Sequence, residues 1–162
     1  MNRKIKNIIN ITAFLVCIGL INIAGQNIEI EIRGMNAFTF ILIVAVLLQI
    51  IFFIPSFLLK TEKYYDLVGS LTYIATVSLA YFSVENKTMI DSVIYFYVMI
   101  WASRLGIYLF TRVRNVGKDV RFEKAKRHFF YFLQYWMGQA LWVSLTACAA
   151  IIAILSPEED TL

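Results

Sequence analysis

Five long apolar runs divide the sequence and constrain its fold more than any other feature. A helix needs about 20 mostly apolar residues to cross the hydrocarbon core of a bilayer. The runs lie near residues 8–25, 37–59, 66–84, 91–111 and 129–155. Because 60% of the 162 residues are hydrophobic, we expect one integral membrane domain and little else. The sequence predicts an all-α fold, a polytopic bundle of about five transmembrane helices.

Lysine and arginine are distributed unevenly over the connections between these runs. Twelve of the 15 lie in the amino terminus, at Lys60 and Lys63, and in the segment 112–127, whereas the alternate connections hold only Arg33 and Lys87. Cytoplasmic segments of membrane proteins carry the excess of lysine and arginine. The pattern predicts a multi-pass integral membrane protein whose amino terminus and 112–127 loop are cytoplasmic.

The composition argues against metal and nucleic-acid chemistry. Cys17 and Cys148 both lie in apolar runs, and His128 has no cysteine or histidine near it in the sequence. Neither a disulfide framework nor a metal site is indicated. No soluble basic surface or stacking groove accompanies the basic segment, so we expect no nucleic-acid partner.

Polar side chains recur at helical spacing on three of the runs. Residues three or four apart share one face of a helix, and a polar face turned to lipid is unfavourable. We therefore expect these faces to turn inward onto a shared cavity open to the cytoplasmic side. The stripes are Asp66, Ser70 and Tyr73 on the third run, Trp101, Arg104, Tyr108 and Arg112 on the fourth, and Tyr131, Tyr135, Gln139, Trp142 and Thr146 on the fifth.

Most of these residues also have a purely structural interpretation. Asp66 stands at the start of a run, where aspartate is a favoured helix cap. The tyrosines suit an interfacial belt, Gln139 suits a hydrogen bond between helices, and Arg112 suits a topology signal. Arg104 is harder to explain in this way. It lies almost two turns inside its run, where a cation usually faces a cavity or a partner.

The basic segment also suits a phosphorylated ligand. Gly117 allows the backbone to turn, and the charges alternate from there to Arg121. A guanidinium binds phosphate through two parallel hydrogen bonds, while an ammonium acts as a point charge. The candidate phosphate ligands are Arg104, Arg112, Lys118 and Arg121. Anionic lipid headgroups fit the same charges, and this alternative stays open.

Three stretches of the chain resemble a known family. They are KTEKYYDLVGSLTY at 60–73, RLGIYLFTRVRNVGKDVRF at 104–122 and FLQYWMGQALWV at 132–143. In this order they are similar to the amino-terminal half of the DUF1295 membrane proteins, which are related to the steroid 5-alpha-reductases. The similarity covers roughly residues 37 to 155. Members of that family continue with further helices and an RHPNY-like segment, so the resemblance implies that the family's carboxyl-terminal part is missing here.

The resemblance implies a membrane-embedded reductase, or its amino-terminal half, that transfers a hydride from NADPH to a lipophilic α,β-unsaturated carbonyl substrate. A tyrosine near a carboxylate suits this reaction, because it can donate a hydrogen bond where enolate charge develops. The catalytic candidates are Asp66 and Tyr73. The cofactor-binding candidates are Arg104, Tyr108, Arg112, Lys118, Asp119, Arg121 and Gln139. The expected partners are the bilayer, the substrate and a separate carboxyl-terminal half.

Two other classes of function stay open. The first is a non-catalytic membrane protein whose basic loop binds anionic lipid or a partner. The second is half of a lipid methyltransferase, because the isoprenylcysteine methyltransferases share a related helical bundle. The features that separate these classes from a reductase would lie in a carboxyl-terminal half.

Overall fold

The structure, a computed structural model, describes residues 3–117 and 119–156. Within these residues the prediction of an all-α helical membrane bundle is confirmed. The elements are α1 (Arg3–Ala24), a small hairpin of β1 (Glu31–Ile32) and β2 (Met35–Asn36), α2 (Ala37–Leu58), α3 (Tyr65–Ser83), α4 (Met89–Val116), two short 3-10 helices (Val120–Phe122 and Ala125–Arg127) and α5 (Phe129–Leu155).

Four of the described helices are long and apolar enough to cross a membrane, namely α1 from Asn7 onward, α2, α4 and α5. Helix α3 is not in this group, although the sequence predicted a span at 66–84. Its apolar character is reduced by hydroxyl side chains that turn into the bundle. For example, Thr72 is fully buried and accepts a hydrogen bond from Gln49 of α2 at 2.8 Å. Helix α3 packs against α2, α4 and α5, so its polar faces meet protein.

One side chain connects the end of α1 to the start of α2. The side-chain oxygen of Asn36 accepts a hydrogen bond from the Thr39 N–H at 3.0 Å, which caps α2. The amide nitrogen of the same residue donates to the carbonyl oxygens of Gly25 and Ile28, at 3.2 and 2.7 Å. The Thr39 hydroxyl then donates to Asn22 of α1 at 2.8 Å. These bonds hold the first two helices together outside their apolar contact.

Glycines let α3 approach two neighbouring helices closely. A Cβ added at Gly106 of α4 would lie 2.8 Å from the Cβ of Ser70, and one added at Gly69 of α3 would lie 2.4 Å from Nε2 of Gln139. Both distances are too short for a real Cβ, so a larger residue would force the helices apart. Small residues at helix contacts are typical of membrane bundles, where close packing drives association. These two contacts therefore set the spacing between α3, α4 and α5.

Helix α4 continues beyond its predicted end. The sequence predicted a span at 91–111, whereas the helix ends at Val116. There Gly117 adopts the left-handed conformation with φ 82°, which is a common way for a helix to terminate. Arg112 and Arg114 consequently lie on the helix, and the basic loop begins only at Gly117.

Candidate functional site

Helices α3, α4 and α5 surround a cavity of about 670 Å³, a volume within the range of small-molecule sites. Asn10 of α1 and Arg121 of the basic loop reach its rim. The predicted stripe residues in its lining are Asp66, Ser70, Tyr73, Trp101, Tyr131, Tyr135, Gln139 and Trp142. The stripes of the third and fifth runs therefore meet at one cavity, as the sequence predicted.

Charged groups from three elements gather at one end of this cavity, which we call the charged mouth (Asp66, Arg112, Asp119 and Arg121). Arg112 donates a hydrogen bond to Oδ2 of Asp66 at 3.4 Å, and a nitrogen of Arg121 lies 3.8 Å from the same oxygen. The Nε of Arg121 lies 3.0 Å from Oδ1 of Asp119. The two arginine side chains are 45% and 54% exposed, against 12% and 13% for the two aspartates. The guanidinium groups are therefore the accessible part of the mouth.

The loop half of the charged mouth stays ionised. Hydrogen bonds from the Arg121 guanidinium lower the pKa of the Asp119 carboxyl below its ordinary value. The same hydrogen bonds raise the pKa of Arg121 above its ordinary value. Both groups therefore carry their charges at neutral and at moderately acidic pH.

A buried carboxylate attaches the basic loop to the bundle. Glu62 lies in the turn between α2 and α3 and is almost fully buried. Its carboxylate accepts hydrogen bonds from Nζ of Lys126 at 2.7 Å and from the backbone N–H of Asp119 at 3.2 Å. The loop is therefore held at both of its 3-10 helices, and Arg121 between these two attachments is held at the mouth.

Aromatic packing reinforces this attachment. Phe122 and Ala125 of the loop are buried in a cluster with Phe132 and Trp136 of α5. The ring of Tyr65 packs against Phe122 with 4.7 Å between centroids. A loop that buries apolar side chains in this way is part of the packed structure, and the positions of Arg121 and Lys126 within it are fixed by their contacts.

Two buried polar atoms in the cavity wall have no hydrogen-bond partner among the described residues. They are Oγ of Ser70 and Oε1 of Gln139. Ser70 is only 3% exposed, and the Gln139 side chain lies against Gly69, the residue before it. Buried polar atoms in native proteins are nearly always hydrogen-bonded. Three other side-chain atoms of the described residues, in Gln49, Trp136 and Ser144, are also buried and unpaired away from the cavity, so the unpaired state does not by itself indicate a ligand.

The two predicted catalytic residues line the cavity at different depths. Tyr73 shares a hydrogen bond between hydroxyl groups with Thr146 of α5, and its ring packs edge-on against Trp101 with 4.9 Å between centroids. Asp66 lies two turns earlier on α3, about 10 Å along the axis, and bonds to arginine. The two do not form a hydrogen-bonded carboxylate–tyrosine pair, and their catalytic roles stay predictions.

The structure corrects the prediction that Arg104 and Tyr108 face this cavity. Both are exposed, and they line a groove on the outward face of α4 together with Arg112. The cavity wall of α4 consists of Trp101, Leu105 and Leu109. A shift of one residue turns a side chain by about 100° around a helix. Leu105 and Leu109 therefore face the cavity, while Arg104 and Tyr108 face away from it. Of the predicted stripe residues on α4, only Arg112 belongs to the charged mouth within the described part of the chain. Lys118 lies outside the described residues.

Sequence reasoning missed the role of Glu62 and did not distinguish Ser70 from the rest of its stripe. Glu62 stands between Lys60 and Lys63 in a short polar turn, a pattern typical of a solvated segment. Its burial depends on the docking of a loop more than 50 residues later in the chain, which no local pattern indicates. The Ser70 side chain lies against Gly106 of α4, a contact that the spacing of one helix does not indicate.

The fold and the cavity define a polytopic helical membrane protein with an internal site of ligand size and a charged mouth. Residues 52–162 match the family described as "Protein of unknown function (DUF1295)". This match covers more than half of the chain, so the chain belongs to the DUF1295 family, as its three motifs indicated. No curated protein matches the chain, and no solved structure matches it.

Proposed function

We propose that this chain is, or forms the amino-terminal half of, a membrane reductase that uses NADPH to reduce a lipophilic α,β-unsaturated carbonyl compound. The observation that carries the proposal is the division of the cavity. One end has accessible guanidinium groups, and the other is lined by the aromatic side chains of Tyr73, Trp101 and Trp142. A nicotinamide dinucleotide has the same division, with phosphates on one side and a flat ring on the other. The resemblance to the steroid 5-alpha-reductases supports the same proposal.

The charged mouth fits phosphate groups. The guanidinium of Arg112 is 45% exposed, and its contact with Asp66 is long at 3.4 Å, so it is available to a ligand. Arg121 is oriented by Asp119 and keeps its charge. We propose that these two arginines hold the phosphates through their planar guanidinium groups. Asp66 and Asp119 neutralise the cluster in the absence of ligand, which permits two guanidinium groups at the edge of an apolar bundle.

The interior of the cavity suits the reduction of a carbonyl compound. NADPH, when bound, supplies the hydride. The chain itself must exclude water and offer a hydrogen-bond donor where negative charge develops on the carbonyl oxygen. Tyr73 is the proposed donor, because its hydroxyl lies in the buried wall. The Thr146 hydroxyl donates to the carbonyl oxygen of Trp142, so Tyr73 donates to Thr146 and its proton must turn from Thr146 to the substrate oxygen. For Asp66 we propose a positioning role at the mouth through Arg112 and Arg121.

The side of the membrane on which the mouth lies is part of the proposal. The uneven distribution of lysine and arginine supports a cytoplasmic position of the mouth. Cysteine labelling tests this in a variant without the native thiols Cys17 and Cys148. A cysteine at Asn115, which is exposed near the end of α4, should react only with reagent on the cytoplasmic side.

The variant Arg112→Lys is expected to bind NADPH about 10-fold more weakly than the wild type. Lysine keeps the charge and hence the topology, but it loses the bidentate contact, and a hydrogen bond to a charged group contributes about 1.5–3 kcal/mol. Titration of the full chain in lipid nanodiscs measures the effect. Arg121→Lys should also bind more weakly, but it disturbs the contacts with Asp119 as well, so Arg112→Lys is the cleaner test.

The matched control is Lys124→Arg, because Lys124 is an exposed cation of the same loop outside the charged mouth. It should bind NADPH like the wild type. Equal affinities in wild type, Arg112→Lys and Lys124→Arg would show that the cations serve topology or anionic lipid, since those uses depend on charge alone. A wild-type chain that binds no NADPH would contradict the proposed function itself.

A further inference from the structure

We propose that the outward face of α4 binds a transmembrane helix of another chain, and that this helix carries a carboxylate opposite Arg104. The inference does not depend on the proposed function, because Arg104 faces away from the cavity. It rests on an unpaired cation in a membrane helix. Arg104 is exposed, and no hydrogen bond or ion pair joins it to any of the described residues.

Arg104 lies near the middle of α4. The helix runs from Met89 to Val116, so Arg104 is about 22 Å from its first residue and about 18 Å from its last. Arg112 at the charged mouth lies about 12 Å nearer the basic loop. The hydrocarbon core is about 30 Å thick, so Arg104 is far from lipid headgroups even if its side chain turns toward them. A cation at this depth usually faces a cavity or a partner.

The surroundings of Arg104 resemble one side of a contact between two helices. The groove around it is lined only by residues of α4, from Met99 to Val116. Helix α3 packs on the opposite side of α4, at Gly106. Small and polar side chains are typical of helix contacts in membranes. Three of the exposed side chains in the groove are of these types, namely Ser103, Thr111 and Asn115.

A second copy of this chain would not supply the missing charge. Helices α1 to α5 contain only two acidic residues, Asp66 and Asp91, each in the first turn of its helix. Asp66 already contacts Arg112, and Asp91 caps α4. Two copies that packed α4 on α4 about a two-fold axis would bring Arg104 against Arg104, and like charges repel. The partner helix therefore has a different sequence.

The chemistry of a guanidinium selects the group that this helix carries. A guanidinium stays protonated and can only donate hydrogen bonds, so its complement is an acceptor with negative charge. A carboxylate accepts two parallel hydrogen bonds from it, and the pair is much less unfavourable in a membrane than either charge alone. The partner helix should therefore have aspartate or glutamate near the middle of its span.

Model helices in phosphatidylcholine vesicles test this face. Each probe has about 20 leucine and alanine residues between terminal lysines, and its central residue is glutamate, alanine or lysine. Energy transfer from a dye on the probe to a dye at the exposed position Lys87→Cys measures association with a full chain that lacks its native thiols. We expect the chain to bind the glutamate helix about 10-fold more tightly than the alanine helix, because charge-assisted hydrogen bonds are the strong ones.

Three variants assign this preference to one residue. Arg104→Gln should bind the glutamate and alanine helices equally. Arg114→Gln removes an exposed cation from the last turn of the same helix and should keep the preference. Arg104→Glu should reverse it and bind the lysine helix most tightly. The comparison of probes on the chain with its native Arg104 needs none of these variants to fold.

Equal binding of the glutamate and alanine helices would overturn the proposal, and so would a preference that survives in Arg104→Gln. A fluorescent oleate, titrated in place of the helices, tests the alternative occupant. Binding of oleate that depends on Arg104, without a preference among the helices, would assign the face to a lipid carboxylate and overturn the proposed helix contact. NADPH affinity is measured separately, so each of these results leaves the proposed function as it stands.

Discussion

Replacing Lys126 with methionine is expected to release the basic loop and to destabilise the protein by about 3–5 kcal/mol, the cost of leaving a buried charge without its partner. The Glu62 side chain is 3% exposed and lies 2.7 Å from Nζ of Lys126. Arg121 lies between the two attachments of the loop, so NADPH binding should be lost as well. Thermal unfolding of the purified chain and limited proteolysis between residues 117 and 128 measure the effect.

Two further variants make this prediction specific. Lys124→Met removes an exposed cation from the same loop and should unfold like the wild type. The double variant Glu62→Gln with Lys126→Met removes both charges and should recover part of the lost stability, because no unpaired carboxylate remains. A Lys126→Met protein that unfolds at the wild-type temperature and resists protease equally would show that the ion pair does not hold the loop.

Replacing Gly106 with leucine is expected to separate α3 from α4 and to abolish ligand binding. An added Cβ would lie 2.8 Å from the Cβ and 2.9 Å from the Oγ of Ser70, so either the helix or the serine must move. Overpacking of a tight contact costs about 1–3 kcal/mol, and the displaced serine forms part of the cavity wall. Thermal unfolding and NADPH titration of the variant measure both effects, and Gly106→Ala should show the same changes to a smaller degree.

Gly19→Leu on α1 is the control, because it also replaces a helical glycine with leucine but at a position without a tight contact. A Cβ added at Gly19 has no atom within 4 Å, so this leucine meets open space. Its stability and its NADPH affinity should stay at the wild-type level or slightly above it. Full NADPH affinity in Gly106→Leu would contradict the close approach of α3 and α4 and with it the geometry of the cavity.

The helices could be predicted from the sequence because membrane helices depend on a local property. Each apolar run is long enough to cross a bilayer, and each long helix overlaps one run. The end of α4 was less predictable, since the apolar pattern fades before the helix does. Gly117 was the available signal, because a glycine after the last turn often terminates a helix. From the sequence alone, Gly117 predicts a turn in the loop and not the end of α4.

The rotation of α4 about its axis could not be predicted from the sequence, because two neighbouring faces of the helix could each turn toward the cavity. The row through Arg104 and Tyr108 is polar, and the rule that polar groups avoid lipid favoured it. The structure turns the row through Leu105 and Leu109 inward instead, because Gly106 lets α4 pack against Ser70 on that side. Close packing between helices determines the rotation of α4. The sequence of one helix does not indicate which residues of another helix will pack against it.

The site itself was predictable in part for a similar reason. Asp66, Tyr73 and Gln139 lie on stripes whose spacing is local, and all three line the cavity. The position of Arg121 depends on the contact between Glu62 and Lys126, which are far apart in the sequence. The sequence therefore indicated the charge of Arg121 but not its position. Long-range contacts of this kind decide which cations of a basic segment reach a site.

Hydrogen exchange of the backbone amides, with and without NADPH, tests the central claim that the cavity and its charged mouth bind the dinucleotide. The full chain in nanodiscs is compared by mass spectrometry in the two states. Exchange should slow in the segment 119–127, whose 3-10 helices hold Arg121 at the mouth, and in the first turns of α5. It should not change in the hairpin at 31–36, none of whose residues lines the cavity. Unchanged exchange in 119–127 at saturating NADPH would contradict the account.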